Sequence, residues 1–197
     1  MEILNEIDSA FEKDKIIDEI GIIAALKDDA TDVSAIQLVE HKLGICSWAL
    51  KPLLEYCLGK FFEAYHGIRK EQIPVQSLSS LLKSLTRAIL IVKGDTPLAL
   101  GIRKELISSG DITVIDELNF LKLVFPRHPK SPSLWEHRRW CLCHKSVQTS
   151  VEKCFDECDL QIELNLCSYL SDIYPKNYYS WMHRLWLLQF MSEDQVS

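Results

Sequence analysis

Seven cysteines are the residues of this sequence that could bind a metal or form disulfide bonds. Their odd number, in a chain whose acidic N-terminus lacks the basic start of a signal peptide, predicts free thiols in a reducing compartment. Five soft ligands cluster in the segments CLCH and CFDEC: Cys141, Cys143, His144, Cys154 and Cys158. Zinc sites usually contain pairs of cysteines with two residues between them. Here one residue lies between Cys141 and Cys143, and three lie between Cys154 and Cys158. The spacing favours cysteines that pack as small apolar residues on helix faces, and we expect this chain to bind no metal.

Cationic side chains concentrate in residues 126–145 and could bind an anion. The segment has a local charge of +4 in a chain of net charge −6, from five cations and one carboxylate: Arg127, Lys130, Arg138, Arg139, Lys145 and Glu136. At the start of a predicted helix, unpaired backbone N–H groups and the positive end of the dipole favour phosphate. The alternative interpretation is a solvated loop and helix face. The sequence shows no nucleophile–base set, glycine-rich phosphate loop or complete metal motif, so it does not predict independent catalysis.

Length and composition indicate what kind of chain positions these residues. The chain has 197 residues, of which 47% are apolar, enough for a globular domain with a substantial core. Seven glycines and seven prolines supply too few turns for an all-β sandwich or barrel. The net charge of −6 argues against a general nucleic-acid binder. No run approaches the roughly 20 apolar residues of a membrane span, and without a predicted signal peptide we expect a cytoplasmic protein.

Apolar residues recur every three or four positions along most of the chain, which predicts an all-α fold. Segments rich in turn and capping residues separate the predicted helices. An N-terminal helical region is predicted over residues 1–75, in which 34–44 could instead be extended. Residues 76–197 divide into three repeats, of about 77–108, 111–145 and 152–191. Their predicted helix pairs are 77–92 with 97–108, 111–126 with 132–145, and 152–173 with 178–191.

The second helices of the last two pairs share the pattern Trp-x-His-Arg-x-Trp, and each has a proline six residues before the first Trp. Trp135 and Arg138 belong to one copy, and Trp181 and Arg184 belong to the other. Arg103 occupies the same position in a degenerate first copy; the arginines at 103, 138 and 184 are spaced by 35 and 46 residues. Helix pairs repeating at about this period form α-solenoids, in which each pair buries its apolar face on its neighbours.

The repeated residues have a structural interpretation. Tryptophan and arginine three positions apart lie on one helix face. We expect Trp135 and Trp181 to be mostly buried between the two helices of their pairs. Arg138 and Arg184 could then bind exposed carbonyls at a neighbouring helix end or stack on an indole ring. The last helix is apolar around much of its circumference, so we expect part of that surface to remain exposed.

The pattern Pro-x5-Trp-x-His-Arg-x-Trp resembles the repeat of protein prenyltransferase α subunits, and PKNYYSW at 175–181 is similar to the start of such a repeat. The resemblance covers roughly residues 15–191. It implies a right-handed crescent of helix pairs around a separate β subunit of α/α-barrel type, which would hold the zinc and most of the isoprenoid pocket. The implied reaction transfers an isoprenoid, with geranylgeranyl favoured, from its diphosphate to a cysteine near the C-terminus of a protein substrate.

The resemblance also implies which residues of this chain face the substrate. Lys130 and Tyr178 occupy the positions of a lysine and a tyrosine that contact the diphosphate, and they are the candidate catalytic residues. The candidate substrate-binding residues are Lys176, Asn177 and Tyr179. The family's tyrosine two positions after the lysine is replaced by Pro132.

Two functions of different classes are compatible with this pattern. The first is an α subunit that is inactive without its β subunit. The second is a non-catalytic helical-repeat scaffold for protein–protein interaction. Retention of the lysine and tyrosine favours the first, and their partial loss favours the second.

Overall fold

The computed structural model describes residues 2–25, 34–149 and 157–191 of the chain. These residues form two compact units, Met1–Ile112 and Thr113–Ser197, which we call unit 1 and unit 2. Most of the described residues are helical. The predicted all-α class with helix-pair repeats is confirmed for most of the described residues, and a small sheet in unit 1 is the exception.

Unit 1 packs helices around an apolar core and adds a small sheet. Its described residues form the helices α1 (Glu2–Lys13), α2 (Ser47–Lys70), α3 (Ser79–Val92) and α4 (Pro97–Ser108), with a 3-10 helix at Val75–Leu78. Helix α3 lies at the centre, packed against α1, α2 and α4. Residues 75–92 are long and apolar enough to meet a length-and-composition test for a membrane span. However, Leu82, Leu85 and Ile89 are fully buried in unit 1, as expected of a core helix.

The N-terminal region was predicted to be helical, but residues 19–46 contain a three-stranded sheet. Its strands are β1 (Glu19–Ile23), β2 (Ile36–Val39) and β3 (Lys42–Cys46), in the order β1-β3-β2. Strand β3 pairs in parallel with β1 and antiparallel with β2. The segment considered as possibly extended, 34–44, thus supplies β2, the turn and most of β3.

The turn between β2 and β3 explains why the hairpin was not predicted. Glu40 and His41 have positive φ angles of 47° and 65°, the conformation that a two-residue hairpin turn usually gives to asparagine and glycine. Asp14 accepts a hydrogen bond of 2.8 Å from Nδ1 of His41, which holds the turn against the end of α1. The turn is therefore fixed by a tertiary contact and lacks the usual sequence signal.

The described residues of unit 2 form two helix pairs. The first is α5 (Val114–Val124) with α6 (Pro132–Thr149), and the second is α7 (Glu157–Ile173) with α8 (Tyr178–Leu187), followed by a 3-10 turn at Leu188–Phe190. Where the structure describes the residues before an α-helix of unit 2, polar side chains cap its first turn. Thr113 accepts from the Asp116 amide, Ser131 from the Leu134 amide and Asn177 from the Ser180 amide. These caps satisfy backbone donors that would otherwise lack partners.

Side-chain pairs establish the helix directions in unit 2. Arg138 and Lys145 of α6 bond Glu163 and Asp159 of α7, respectively. The later residue of α6 is thus paired with the earlier residue of α7, so the two helices are antiparallel. His183 of α8 also bonds Glu163.

Helix α8 is antiparallel to α7 by the same criterion. On α8, Ser180 donates to the carbonyl of Cys167. His183, three residues after Ser180, bonds the side chain of Glu163, which lies four residues before Cys167 on α7. Helices α6 and α8 are thus both antiparallel to α7 and parallel to each other. Their first turns lie at the same edge of unit 2, which is where the sequence places its candidate anion-binding residues.

Candidate functional site

The loops that precede α6 and α8 form the candidate site at this edge. Lys130 and Lys176 are both exposed, one in each loop. Tyr178, at the first position of α8, is 64% exposed. Its ring packs edge-to-face on Tyr179, which is half-buried, with 5.4 Å between the ring centroids. Four of the five predicted site residues are therefore accessible to a ligand.

Asn177 differs from the other predicted site residues because its side chain is buried. Its Oδ1 accepts a 3.4 Å hydrogen bond from the Ser180 amide, which caps α8. Its Nδ2 is buried without a hydrogen-bond partner among the described residues. The structure thus gives Asn177 the role of fixing the start of α8, beside the exposed Tyr178.

Arg127 is a cation of this edge that was not singled out as a site residue. It is half-buried in the loop before α6, and burial lowers the pKa of its guanidinium. Within the described ranges no carboxylate pairs with it. A partly desolvated cation without a counter-charge is costly, and an anionic ligand would offset that cost. In the sequence, only the local charge over residues 126–145 indicated that Arg127 could bind an anion.

The local charge of +4 over residues 126–145 is partly neutralised in the fold. Arg138 is paired with Glu163, and Lys145 is paired with Asp159 at 2.6 Å. Both carboxylates come from α7, outside the counted segment. The positive charge left near the edge therefore belongs mainly to Arg127 and Lys130.

Away from the edge, Arg138 forms the central buried ion pair of unit 2. Its Nε and Nη2 donate to both carboxylate oxygens of Glu163 at 2.7 and 2.6 Å, and its Nη1 donates to the carbonyl of Leu118 at 3.0 Å. Arg138 thus contacts a carbonyl inside α5, not at a helix end as predicted, and its main partner is a glutamate. Arg103 in unit 1 is also buried and donates to Oγ1 of Thr86 at 3.0 Å.

Both histidines of the repeat pattern bond a buried glutamate on the first helix of their own pair. His137 lies 2.8 Å from Glu117, and His183 lies 3.1 Å from Glu163; each pair is separated by 20 residues. Nδ1 of each ring has no partner among the described residues, so each ring contacts its glutamate through Nε2. The shared spacing of 20 was visible in the sequence but had not been used.

Trp135 and Trp181 have different environments. Trp135 is fully buried as predicted. Its ring is tilted against the Phe125 ring, with 4.3 Å between the centroids, and its Nε1 donates to the carbonyl of Pro129. The prediction that Trp181 is mostly buried is wrong, because it is 51% exposed. At the position on α7 that corresponds to Phe125 the chain has Ser171, so the aromatic contact is missing.

Arg184 also departs from its counterpart in the previous repeat. It is exposed, with its guanidinium carbon 5.9 Å from the centre of the Trp181 ring. The predicted stacking on an indole is therefore the contact that it makes. The apolar surface expected on the last helix is exposed in the described residues, at Met182, Leu185 and Leu188 among others.

The cysteine cluster is only partly described. Cys141 is buried on α6 and Cys143 is exposed on the same helix. Cys154 and the side chain of Cys158 lie outside the described residues. Among the described residues, no group of three or more His, Cys, Asp or Glu side chains is placed to hold a metal.

The Arg138–Glu163–His183 cluster makes stability dependent on pH. Burial alone would raise the pKa of Glu163, but the charge of Arg138 and hydrogen bonds from His183 and Arg138 lower it to about 2. Burial lowers the pKa of His183. In both cases the unfolded chain takes up the proton first as the pH falls, so acidification destabilises the folded state.

We expect this loss to begin below pH 6.5 with His183 and to continue from pH 4.5 towards pH 2 with Glu163. Denaturant unfolding of wild type and Glu163→Gln at pH 7 and pH 3 measures the second part. The stability advantage of wild type should be about 2 kcal/mol smaller at pH 3, because most of the carboxylate's contribution is then lost. An advantage that is equal at both pH values would contradict the shifted pKa.

Unit 2 matches a known family of repeats. Residues 114–145 and 160–191 match the model of the protein prenyltransferase alpha subunit repeat, and they cover the α5–α6 and α7–α8 pairs. The chain therefore belongs to the family of proteins that carry these repeats. The match covers the second and third of the three predicted repeats.

Relatives are similar over almost the whole of this chain. Protein prenyltransferase alpha subunit repeat-containing protein 1 of Danio rerio and that of Homo sapiens are each 34% identical to it, over 98% of this chain. The alignments cover 47% and 50% of these relatives. A Xenopus laevis relative, repeat-containing protein 1-B, is also 34% identical. The chain thus spans about half the length of the curated relatives it matches.

Proposed function

We propose that this chain is the α subunit of a heterodimeric, cytoplasmic protein prenyltransferase that is inactive without a β subunit. The observation that carries the proposal is the parallel arrangement of α6 and α8. It brings the starts of two successive repeat helices, with Lys130 in one loop and Lys176 and Tyr178 at the other, to one edge of unit 2. A ligand with several negative charges fits such an edge.

The chemistry of isoprenoid transfer matches these side chains. A protein thiolate forms a C–S bond to the isoprenoid, the C–O bond to the diphosphate breaks, and negative charge grows on the leaving group. Zinc, expected on the β subunit, would supply activation of the thiolate. Lys130 and the Tyr178 hydroxyl would stabilise the leaving charge, assisted by the positive ends of α6 and α8. Lys176 and Tyr179 lie beside them, and Asn177 holds the start of α8.

Lys130→Ala tests the proposal. We compare single-turnover transfer of a geranylgeranyl or farnesyl group by heterodimers with a β subunit, at a saturating concentration of the isoprenoid diphosphate. The variant should be about 10²-fold slower than wild type, the typical loss when one charge-stabilising donor is removed. Binding of the β subunit should be unchanged, because Lys130 is exposed at a loop. Lys51→Ala, which alters an exposed lysine of α2 in unit 1, is the control and should leave transfer unchanged. A Lys130→Ala heterodimer as fast as wild type would contradict a catalytic role.

A non-catalytic scaffold is the alternative, and Pro132 favours it. Proline at this position removes a hydroxyl that the family resemblance implies for the diphosphate site, and it serves here as the first residue of α6. A chain that binds a β subunit tightly while the heterodimer transfers no isoprenoid would establish the scaffold role. Transfer that depends on Lys130 would exclude it.

A further inference from the structure

The two matched repeats carry identical residues at several corresponding positions, and at three of these the environments are opposite. Trp135, Arg138 and Leu142 of α6 correspond to Trp181 and Arg184 of α8 and to Leu188 directly after it. The first three are at most 1% exposed, whereas Trp181 is 51% and Leu188 is 39% exposed, and Arg184 is exposed as well. The first pair therefore shows which residues can cover a tryptophan, an arginine and a leucine at these positions.

In the first pair the cover comes from the next pair. Glu163 of α7 accepts two hydrogen bonds from Arg138, and Leu160, one turn earlier on α7, belongs to the same apolar cluster as Leu142. The His183 ring of α8 lies 4.9 Å from the ring of Trp135. A leucine and a glutamate three positions apart on one helix thus cover the leucine and the arginine of α6.

We call the exposed surface of α8 and of the turn that follows it the α8 face: Tyr178, Trp181, Met182, Arg184, Leu185 and Leu188. Its apolar members recur at the three- and four-residue spacing of a single helix stripe, as in helices that dock a partner. Within the described residues no carboxylate pairs with Arg184. The face is therefore apolar and carries one cation without a counter-charge.

We propose that the α8 face binds a helix of a partner protein that carries a leucine and a glutamate three positions apart, in the register of Leu160 and Glu163. The glutamate accepts hydrogen bonds from Arg184, and the leucine packs on Leu188. A second copy of this chain is a poorer occupant, because its Glu163 already binds its own Arg138. The proposal rests on the α6–α7 contact and does not depend on a prenyltransferase activity.

The probe is a peptide of residues 157–173 with both cysteines replaced by alanine. A hydrocarbon staple between positions 168 and 172, which are exposed on α7, keeps it helical. Titrated into the full chain and followed by calorimetry, it should bind saturably. A peptide with Glu163→Gln should bind at least tenfold more weakly, because it replaces a charge-assisted bond with a neutral one.

Chain variants locate the binding. Leu185→Glu, at a position that is 55% exposed, should abolish it, whereas Ile115→Glu, at an apolar position of α5 that is 61% exposed, should not change it. With Arg184→Gln the two peptides should bind equally weakly. Failure of both peptides to bind, equal binding of both to wild type, or unaffected binding to Leu185→Glu would overturn the proposal. A dimer that Leu185→Glu dissociates would also overturn it, in favour of a second copy.

Discussion

Trp135→Ala is expected to lower the free energy of unfolding of unit 2 by roughly 3–5 kcal/mol, the usual cost of truncating a large buried aromatic residue. The indole is fully buried, packs between Phe125 and His183, and donates a 2.9 Å hydrogen bond to the carbonyl of Pro129. The substitution removes the packing and leaves that carbonyl without its partner.

Trp181→Ala is the matched control, since the same residue type at the same repeat position is half exposed. It should cost less than about 1 kcal/mol. Urea denaturation followed by circular dichroism compares the two variants with wild type. Equal losses from both substitutions would mean that the two tryptophans contribute equally to stability, contrary to their environments.

Arg138→Met is expected to cost about 3–5 kcal/mol, because it leaves the buried carboxylate of Glu163 without its counter-charge. Arg184→Met is the control at the corresponding exposed position and should change stability by no more than about 0.5 kcal/mol. The double variant Arg138→Met/Glu163→Met should recover much of the loss, since apolar residues of similar size can replace a buried ion pair.

Thermal and denaturant unfolding of the four proteins, measured at pH 7, completes the comparison. The order of stability should be wild type and Arg184→Met together, then the double variant, then Arg138→Met. If the double variant is no more stable than Arg138→Met, the cost lies in lost packing of the arginine stem and not in the unpaired charge.

Helical periodicity was sufficient to predict the helix pairs, because each helix needs only one apolar stripe that the sequence displays directly. The sheet could not be predicted in this way. Its strands are four or five residues long, and the β2–β3 turn places Glu40 and His41 at positive φ, where glycine or asparagine is the usual signal. A contact with Asp14, distant in sequence, supports that turn.

For the candidate site, the sequence located the two loops but not the state of each side chain. Identical motif residues have different exposures because their neighbours differ: Ser171 stands where Phe125 would predict an aromatic contact. The buried partners of the motif residues were missed because they lie on other helices: Glu117 and Glu163 precede their histidines by 20 residues, and Glu163 follows Arg138 by 25. Only the fold brings these positions together.

Glu163 bonds His183 within its own helix pair and Arg138 in the preceding pair. Repeat proteins are commonly described by two separate energies, one for folding each repeat and one for joining it to its neighbour. Here a single carboxylate contributes to both energies. Opening the α7–α8 pair therefore uncovers a charged arginine in the pair before it. We expect the slowest-exchanging amides of α6 and α7 to exchange at a common rate, as a single cooperative unit.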